Sequence, residues 1–177
     1  QAEMVATYET PWGPETKRWT VLKPHRWSIE DPYRYELDIY GFKFPYGIRE
    51  MTFDAEKGFF LNGKRVQLKG VDLHADLGPL GMAFDLSAMK RHLLAMKAMG
   101  VNAIRTGHYC PAPQLLDLCD EMGFVVWDEC FDNWNGYAGR LPGEHLEDYV
   151  IDHLKRFVRR DRNHPCVVIW SIGNEIG

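Results

Sequence analysis

Residues 101–127 read VNAIRTGHYCPAPQLLDLCDEMGFVVW and contain an apolar run, a helical pattern and a second apolar run. The runs over residues 101–105 and 124–127 are short and largely apolar, which is typical of buried strands. A helix is predicted over residues 111–122, because proline is tolerated at a helix start and Gly123 favours a helix end. Two buried strands joined by a helix indicate a parallel sheet that is covered by helices.

The same alternation of strand and helix continues on both sides of this segment. Upstream, residues 66–71 form the predicted first strand, and Asp85 caps a helix whose apolar residues step by three and four until Gly100. Downstream, a long amphipathic helix precedes a fourth strand over residues 166–172. No Gly-rich phosphate fingerprint follows the first strand, which counts against a nucleotide-binding sheet.

Four such strands predict an α/β fold, namely the N-terminal half of a TIM (β/α)8 barrel over residues 54–177. Residues 1–53 instead contain short alternating runs, such as residues 33–40, which are typical of an antiparallel sheet with one wet face. They are too few for a complete sandwich of about 100 residues, so a partial immunoglobulin-like β-sandwich is predicted. Asn62-Gly63 marks a two-residue hairpin. An open half-barrel also predicts a fragment, with partners that complete the barrel or form an oligomer.

The composition counts against several classes of protein. The chain has a formal net charge of −4, whereas a nucleic-acid partner calls for a basic surface. No stretch approaches the roughly 18–20 apolar residues of a membrane span, so no membrane partner is expected. No secretory signal is recognisable, and both a cytoplasmic and a periplasmic location stay open.

The four cysteines, at positions 110, 119, 130 and 166, lack the paired short spacing of a zinc site. Cys119 lies among the apolar positions of a predicted helix, where a buried thiol is expected. Cys110 and Cys130 could approach each other at the tops of neighbouring strands, but free thiols are expected there.

Polar residues cluster directly after the predicted strands: His74, Asp76, Arg105, His108, Asp128, Glu129, Asn174 and Glu175. In α/β barrels the carboxyl ends of the strands build the active site. Structural interpretations exist for most of them, including structural histidines, an ion pair from Arg105 to Glu129 or Asp76, and a capping role for Asp128. Glu175 favours function, because the apolar run over residues 167–172 delivers it to the rim of a cavity.

Four motifs resemble those of glycoside hydrolase family 2. Residues 160–175 read RDRNHPCVVIWSIGNE and resemble the acid/base motif of that family. Residues 102–109, NAIRTGHY, resemble its second-strand motif, and residues 126–129, VWDE, its third strand. The FLNGK segment of residues 60–64, followed by KGV at residues 69–71, resembles the start of its barrel.

The resemblance implies a retaining β-glycosidase of the β-galactosidase or β-glucuronidase kind, whose two carboxylates lie about 5–5.5 Å apart. Glu175 would be the acid/base residue, which must be protonated for its first task and therefore needs desolvation or a nearby negative charge. Asn174 would bind the sugar 2-hydroxyl, and Arg105 would orient a carboxylate. His74, Asp76, His108 and Glu129 complete the implied substrate-binding set.

The family nucleophile is a glutamate on a later strand, so the 177-residue chain is expected to carry half an active site and to be inactive alone. In some relatives Glu129 belongs to a magnesium site. The following residues, 130–132, do not clearly supply partner ligands, so no metal or other cofactor is predicted. Trp134 is a candidate sugar platform, although core packing is an equal alternative.

Three alternatives stay open at this point. The substrate could be a β-glucuronide or a β-mannoside rather than a β-galactoside. The chain could be a non-catalytic carbohydrate-binding module that retains the pocket. It could also be a metal-dependent barrel hydrolase that uses His74, Asp76, His108 and Glu129, since those residue types suit a divalent ion.

Overall fold

The computed structural model describes residues 1–133 and 146–176, without the side chains of residues 146 and 147. Seven antiparallel strands come first: β1 (Ala2–Thr10), β2 (Gly13–Val21), β3 (Tyr35–Ile39), β4 (Phe42–Tyr46), β5 (Met51–Asp54), β6 (Gly58–Leu61) and β7 (Lys64–Arg65). β1 pairs with β2 and β3 with β4, while β5, β6 and β7 form a three-stranded sheet. The predicted antiparallel strand over residues 33–40 is confirmed as β3, and the predicted Asn62-Gly63 hairpin joins β6 to β7.

A four-stranded parallel sheet follows, with the order β8 (Gly70–Leu73), β9 (Ala103–Thr106), β10 (Val125–Glu129) and β11 (Val167–Ser171). The helices α1 (Leu86–Ala98), α2 (Pro113–Met122) and α3 (Leu146–Asp161) connect successive strands. This confirms the predicted strand–helix alternation. No helix among the described residues is long and apolar enough to cross a membrane.

Local signals set the ends of the crossover helices as the sequence predicts. The Asp85 carboxylate accepts a hydrogen bond from the Ala88 N–H at 2.7 Å and so caps α1. α1 then buries Met89, Leu93 and Met96 against the sheet, and α2 buries its own apolar face beside them. Burial of each such large apolar side chain contributes roughly 1.5–3 kcal/mol, which makes this layer the main core.

The predicted first strand was placed too early in the chain. Residues 66–69 lie outside the sheet, and β8 begins only at Gly70. The reason is the side chain of Asn102, which donates to the carbonyl of Gln67 at 3.0 Å and accepts from the Lys69 N–H at 2.7 Å. The Lys69 carbonyl in turn accepts from the backbone N–H groups of Asn102 and Ala103, at 3.0 and 3.3 Å, so this segment approaches β9 before the regular pairing of β8 begins.

Residues before the barrel strands pack against the amino-terminal end of the parallel sheet. Trp27 is fully buried, and its indole N–H donates to the carbonyl of Asp120 at 2.9 Å. The Arg49 guanidinium donates to the carbonyls of Pro165 and Val167, at the start of β11. These contacts lie at the end of the sheet opposite to the carboxyl ends of its strands.

A buried polar pair fixes the approach to β11. Asp120 accepts a hydrogen bond from the Cys166 N–H at 2.9 Å, and its other oxygen lies 2.6 Å from His164 Nδ1. Burial lowers the pKa of His164, but the hydrogen bond and the charge of Asp120 outweigh burial, so the pKa is raised. The two oxygens of this buried carboxylate are therefore both satisfied, one by the His164 ring and one by a backbone N–H.

The cysteines divide into two kinds. Cys119 and Cys166 are free and buried, which confirms the prediction for Cys119. The expectation of free thiols at Cys110 and Cys130 is wrong, because these two residues form a disulfide. They follow the adjacent strands β9 and β10, and this neighbourhood brings their Cα atoms to 4.7 Å.

Gly123 and Gly100 provide a matched test of how closely the backbone at Ile29 packs against the end of α2. Each of the two glycines follows a helix, and each has a left-handed backbone conformation, with φ 71° at Gly123 and 87° at Gly100. A Cβ at Gly123 would lie 2.1 Å from the carbonyl oxygen of Ile29, whereas no described atom lies within 4 Å of one at Gly100. We expect Gly100→Ala to cost about 1–2 kcal/mol of stability from the backbone alone. Gly123→Ala should cost clearly more in urea unfolding, and equal losses would contradict the close approach.

Candidate active site at the carboxyl ends of the parallel strands

The register of the parallel strands aligns polar residues in rows at one end of the sheet. Asp72 of β8 pairs with Arg105 of β9, which pairs with Trp127 of β10. Farther along, Glu129 of β10 pairs with Ser171 of β11. Because the carboxyl ends of parallel strands meet at one edge, these side chains converge at the position where barrel enzymes carry their active sites.

Glu129 is the centre of this convergence. Its side chain is almost fully buried, and its two oxygens accept hydrogen bonds from Arg105 Nε and Nη2 at 3.0 and 2.9 Å. Ser171 Oγ donates to it at 2.7 Å, and His108 Nδ1 lies 2.7 Å from its other oxygen. Burial would raise the pKa of Glu129, but the donors Ser171, His108 and Arg105 outweigh burial, so the pKa is lowered.

Arg105 connects this carboxylate to the residues that follow β11. Its Nη2 also donates to the side-chain oxygen of Asn174 at 3.0 Å, and its Nη1 lies 3.6 Å from Asp72 Oδ2. The guanidinium carbon lies 5.7 Å from the centre of the Trp127 ring. Of the two partners predicted for Arg105, the structure therefore selects Glu129 rather than Asp76.

Asn174 and Glu175 lie beside the Glu129 network but differ in how they are held. The Asn174 amide donates to Asp132 Oδ1 at 3.1 Å while its oxygen accepts from Arg105, so its orientation is determined at both ends. Glu175 has left-handed backbone at φ 49°, which is uncommon for a residue with a side chain, and it is exposed. The desolvation expected for an acid/base carboxylate is thus not provided by the described residues.

Of the predicted sugar-pocket residues, the two histidines contact each other, whereas Asp76 is bonded within the turn after β8. His74 and His108 contact each other edge to face, with ring centres 5.0 Å apart. Asp76 is exposed and accepts a hydrogen bond from the Gly78 N–H at 2.7 Å, which stabilises the turn after β8. His74 and Asp76 both line a cavity of about 220 Å³ next to the strand ends. The candidate platform Trp134 lies outside the described residues.

A magnesium ion at Glu129, the site type considered for some relatives, does not fit this geometry. Both carboxylate oxygens are occupied by the Arg105 fork, Ser171 and His108. Mg²⁺ demands oxygen ligands in near-octahedral arrangement, and the two Glu129 oxygens would have to give up their present hydrogen bonds to bind it. Glu129 is therefore a structural and electrostatic centre in this arrangement.

Asp128, the neighbour of Glu129, points to the opposite face of β10. It is fully buried near Asp161, which is also fully buried and receives two hydrogen bonds of 2.7 Å from Arg160. Burial, and next the charge of Asp161, raise the pKa of Asp128 to about 8. Two adjacent residues of one strand thus carry one ionised and one protonated carboxyl group at neutral pH.

The sequence model of glycosyl hydrolases family 2, TIM barrel domain, matches residues 54–177. The chain belongs to this family. The resemblance inferred from the four motifs is confirmed, and the parallel sheet with its helices is part of the glycosyl hydrolase family 2 barrel domain.

Named relatives and solved structures of the family agree with this assignment. Beta-galactosidase BoGH2A of Bacteroides ovatus is 44% identical over 99% of the chain, and a beta-glucuronidase of Bacteroides fragilis is 35% identical over 88% of it. The crystal structure of a family 2 member from Bacteroides cellulosilyticus is 39% identical over 92% of the chain, with a TM-score of 0.80. The chain spans 22%, 24% and 23% of these three proteins.

Two residues of this candidate site make contacts that the sequence did not predict. Ser171 lies inside the acid/base motif, and its role follows from its pairing with Glu129 across the sheet. Asp72 lies near the end of β8 and faces Arg105 and His74, each at 3.6 Å. The available signal was spacing: Asp72 and His74 are two residues apart, as side chains on one face of a strand are.

The Arg105 fork gives a test of the network. Arg105→Lys keeps the charge but loses the planar geometry that serves Glu129 and Asn174 together, so we expect a loss of about 1–3 kcal/mol in urea unfolding. Arg34→Lys is the matched control, because Arg34 makes an ion pair with exposed Glu121 at 3.1 Å. That change should cost less than about 1 kcal/mol. Losses of equal size in the two variants would contradict the claim that Arg105 needs its planar geometry to bind Glu129 and Asn174 together.

The buried pair Asp128 and Asp161 predicts a pH dependence. The folded protein holds the Asp128 proton up to about pH 8, whereas the unfolded chain loses it near pH ~3.9. The contribution of this group to stability therefore falls as pH rises through that window. Asp128→Asn should remove the fall and raise stability above that of the parent protein, on the order of 1 kcal/mol at alkaline pH.

Urea unfolding at pH 5, 7 and 8.5 measures this difference. Asp161→Asn leaves Arg160 without its carboxylate and should destabilise the protein at pH 5, but it should also reduce the fall towards pH 8.5, because the charge of Asp161 is one cause of the raised pKa of Asp128. An Asp128→Asn protein that is less stable than the parent at all three values would contradict the protonated state.

Proposed function

We propose that the chain provides the acid/base part of the active site of a retaining β-glycoside hydrolase that acts on terminal β-galactosides. The observation that carries the proposal is the convergence of Arg105, His108, Glu129 and Asn174 at the carboxyl ends of family 2 barrel strands, directly beside Glu175. Retaining hydrolysis needs one carboxyl group that first donates and then removes a proton.

Glu175 is the proposed acid/base residue. It lies at the rim of the sheet and next to Asn174, with an uncommon backbone conformation that is typical of functional positions. In the first step it donates its proton to the glycosidic oxygen while the second carboxylate of the retaining pair bonds to the anomeric carbon, and the aglycone leaves as its alcohol. In the second step the resulting Glu175 carboxylate takes a proton from the water that attacks the anomeric carbon, which releases the sugar and the second carboxylate.

Asn174 is proposed to hydrogen-bond the sugar 2-hydroxyl, an interaction that strengthens in the transition state. Arg105 and Asp132 support this role, because they hold the amide in one orientation before substrate arrives. His74, His108 and Asp76 are proposed to contact the other hydroxyl groups. Glu129 contributes through Arg105 and His108 rather than by direct contact.

The galactoside is the first choice of substrate because the relative with 44% identity is named a beta-galactosidase. Glucuronides are the second choice, because another relative, with 35% identity, is named a beta-glucuronidase. Aryl β-galactoside and aryl β-glucuronide, compared at equal concentration, separate the two. In an enzyme of the relatives' length that contains residues 1–177, sugar binding without hydrolysis of either substrate would favour the carbohydrate-binding alternative.

The remaining domain organisation is also a proposal. We retain residues 1–53 as a partial immunoglobulin-like β-sandwich and residues 54–177 as the barrel part, supported by the antiparallel pairing of β1 with β2 and of β3 with β4. We further propose that additional strands or another copy of the chain cover the exposed side of the parallel sheet. Its exposed Trp127 supports this, since large apolar surfaces favour contact with a partner.

The acid/base role is tested with substrates that differ in their leaving group, in an enzyme of the relatives' length that contains residues 1–177. Glu175→Ala should slow hydrolysis of an alkyl β-galactoside by about 10²–10⁴, because that leaving group needs a proton. Cleavage of a dinitrophenyl galactoside needs none, and added azide should restore its turnover, since azide attacks without a general base.

Glu56→Ala is the control, because Glu56 is exposed in the turn between β5 and β6. It should behave as the parent enzyme with both substrates. Equal losses of Glu175→Ala on both substrates, together with no azide rescue, would refute the assignment of Glu175.

A further inference from the structure

We propose that Asp72, His74 and His108 form a binding site for a divalent transition-metal ion such as Zn²⁺. Asp72 lies in β8, His74 directly follows β8, and His108 lies two residues after the end of β9. Metal binding by these residues stands independently of the proposed glycosidase function. Only its effect on sugar binding rests on that function.

The geometry is close to that of a three-ligand metal site. One ligand atom from each residue lies within 4.8 Å of the others, and His74 Nε2 is 3.6 Å from Asp72 Oδ2. Metal–ligand distances of about 2.0–2.2 Å in a tetrahedral site bring the ligand atoms to about 3.3 Å from one another. The His74 side chain is 60% exposed, so it is free to make the small movement that closes the site.

The hydrogen bonding of His108 prepares one of its nitrogens for a metal. Nδ1 lies 2.7 Å from a Glu129 oxygen, and an ionised carboxylate can only accept, so Nδ1 carries the hydrogen. The lone pair is then on Nε2. Metal-binding histidines almost always donate their other N–H to a carboxylate or carbonyl in this way, which fixes the ring and raises its basicity.

Charge and ligand type indicate which ion fits. Two neutral imidazoles and one carboxylate suit Zn²⁺, Ni²⁺ or Cu²⁺, whereas Mg²⁺ prefers oxygen ligands. Arg105 opposes the cation, since its Nη1 lies 3.6 Å from Asp72 Oδ2, but Glu129 already neutralises this guanidinium through two hydrogen bonds. Asp76 takes no part, because the turn after β8 holds its carboxylate away from this group.

The site coincides with residues proposed to contact the sugar. A metal bound to His74 and His108 would occupy imidazole nitrogens that would otherwise hydrogen-bond the sugar hydroxyl groups. If the proposed function is right, Zn²⁺ and galactose therefore compete for the same side chains, and the ion acts as an inhibitor.

Calorimetric titration of the untagged, chelator-treated chain with ZnCl₂ tests the site. We expect binding of one ion, and no binding of MgCl₂ under the same conditions. His74→Ala and the isosteric Asp72→Asn should each weaken Zn²⁺ binding by more than about tenfold. His92→Ala is the matched control, because His92 is an exposed histidine of α1 outside the group, and it should leave the affinity unchanged.

Substitution of Co²⁺ for Zn²⁺ gives a second readout, since a tetrahedral site with nitrogen ligands should produce visible absorption that His74→Ala abolishes. The buried group of Asp120, His164 and Cys166 also has metal-ligand types. Zn²⁺ binding that survives both His74→Ala and Asp72→Asn but is lost in His164→Ala would overturn the proposal, as would an absence of binding in the folded parent chain.

A competition arm separates this inference from the proposed function. Galactose that weakens Zn²⁺ binding supports the overlap of the two sites. Intact Zn²⁺ binding that galactose leaves unchanged in an enzyme of the relatives' length would refute the sugar pocket at His74 and His108, while the metal site itself would stand.

Discussion

Burial of the Glu129 carboxylate is the constraint around which the carboxyl end of the sheet is organised. An ionised carboxylate in an apolar interior is strongly unfavourable unless hydrogen bonds and an opposite charge compensate it. Arg105 provides the charge and two donors, and Ser171 and His108 provide the rest. Each of these donors is thereby fixed in orientation. Arg105, once fixed by Glu129, also orients Asn174. His108, once it donates to Glu129, has its second ring nitrogen available for the proposed metal site.

The contrast between Glu129 and Asp128 arises from the pleat of one strand. Adjacent residues of a strand face opposite sides, so one carboxyl group enters the network of donors and the other lies in the helix-covered layer near Asp161. With a guanidinium and two further donors, Glu129 has a lowered pKa; buried beside another carboxylate, Asp128 has a raised one. Environment rather than residue type decides the protonation of both.

The two ends of the parallel sheet have separate tasks. At the amino-terminal end, Trp27, Arg49 and the pair of Asp120 and His164 form contacts that satisfy buried groups completely and stabilise the fold. At the carboxyl end, His74, Asp76 and Glu175 are exposed and keep polar atoms available. A barrel enzyme needs this division, because residues that bind substrate cannot be fully satisfied by the protein itself.

Local pattern was sufficient to predict the alternation of strands and helices, the cap at Asp85, the helix end at Gly123 and the motifs of the family. These features depend on neighbouring residues, so the sequence determines them directly. Contacts between distant segments decided the rest. The first strand begins only at Gly70, and the side chain of Asn102, 33 residues away from Lys69, holds the backbone of the segment before it.

Contacts between distant segments also decided the arrangement of the candidate site. The sequence identified which polar residues follow the strands, and the structure brings Arg105, His108, Glu129 and Asn174 together. Strand register decided that Asp72 rather than Asp76 faces Arg105, that Ser171 reaches Glu129, and that Cys110 meets Cys130. Pairing between strands more than 20 residues apart sets these contacts, and no local pattern in a single sequence contains that register.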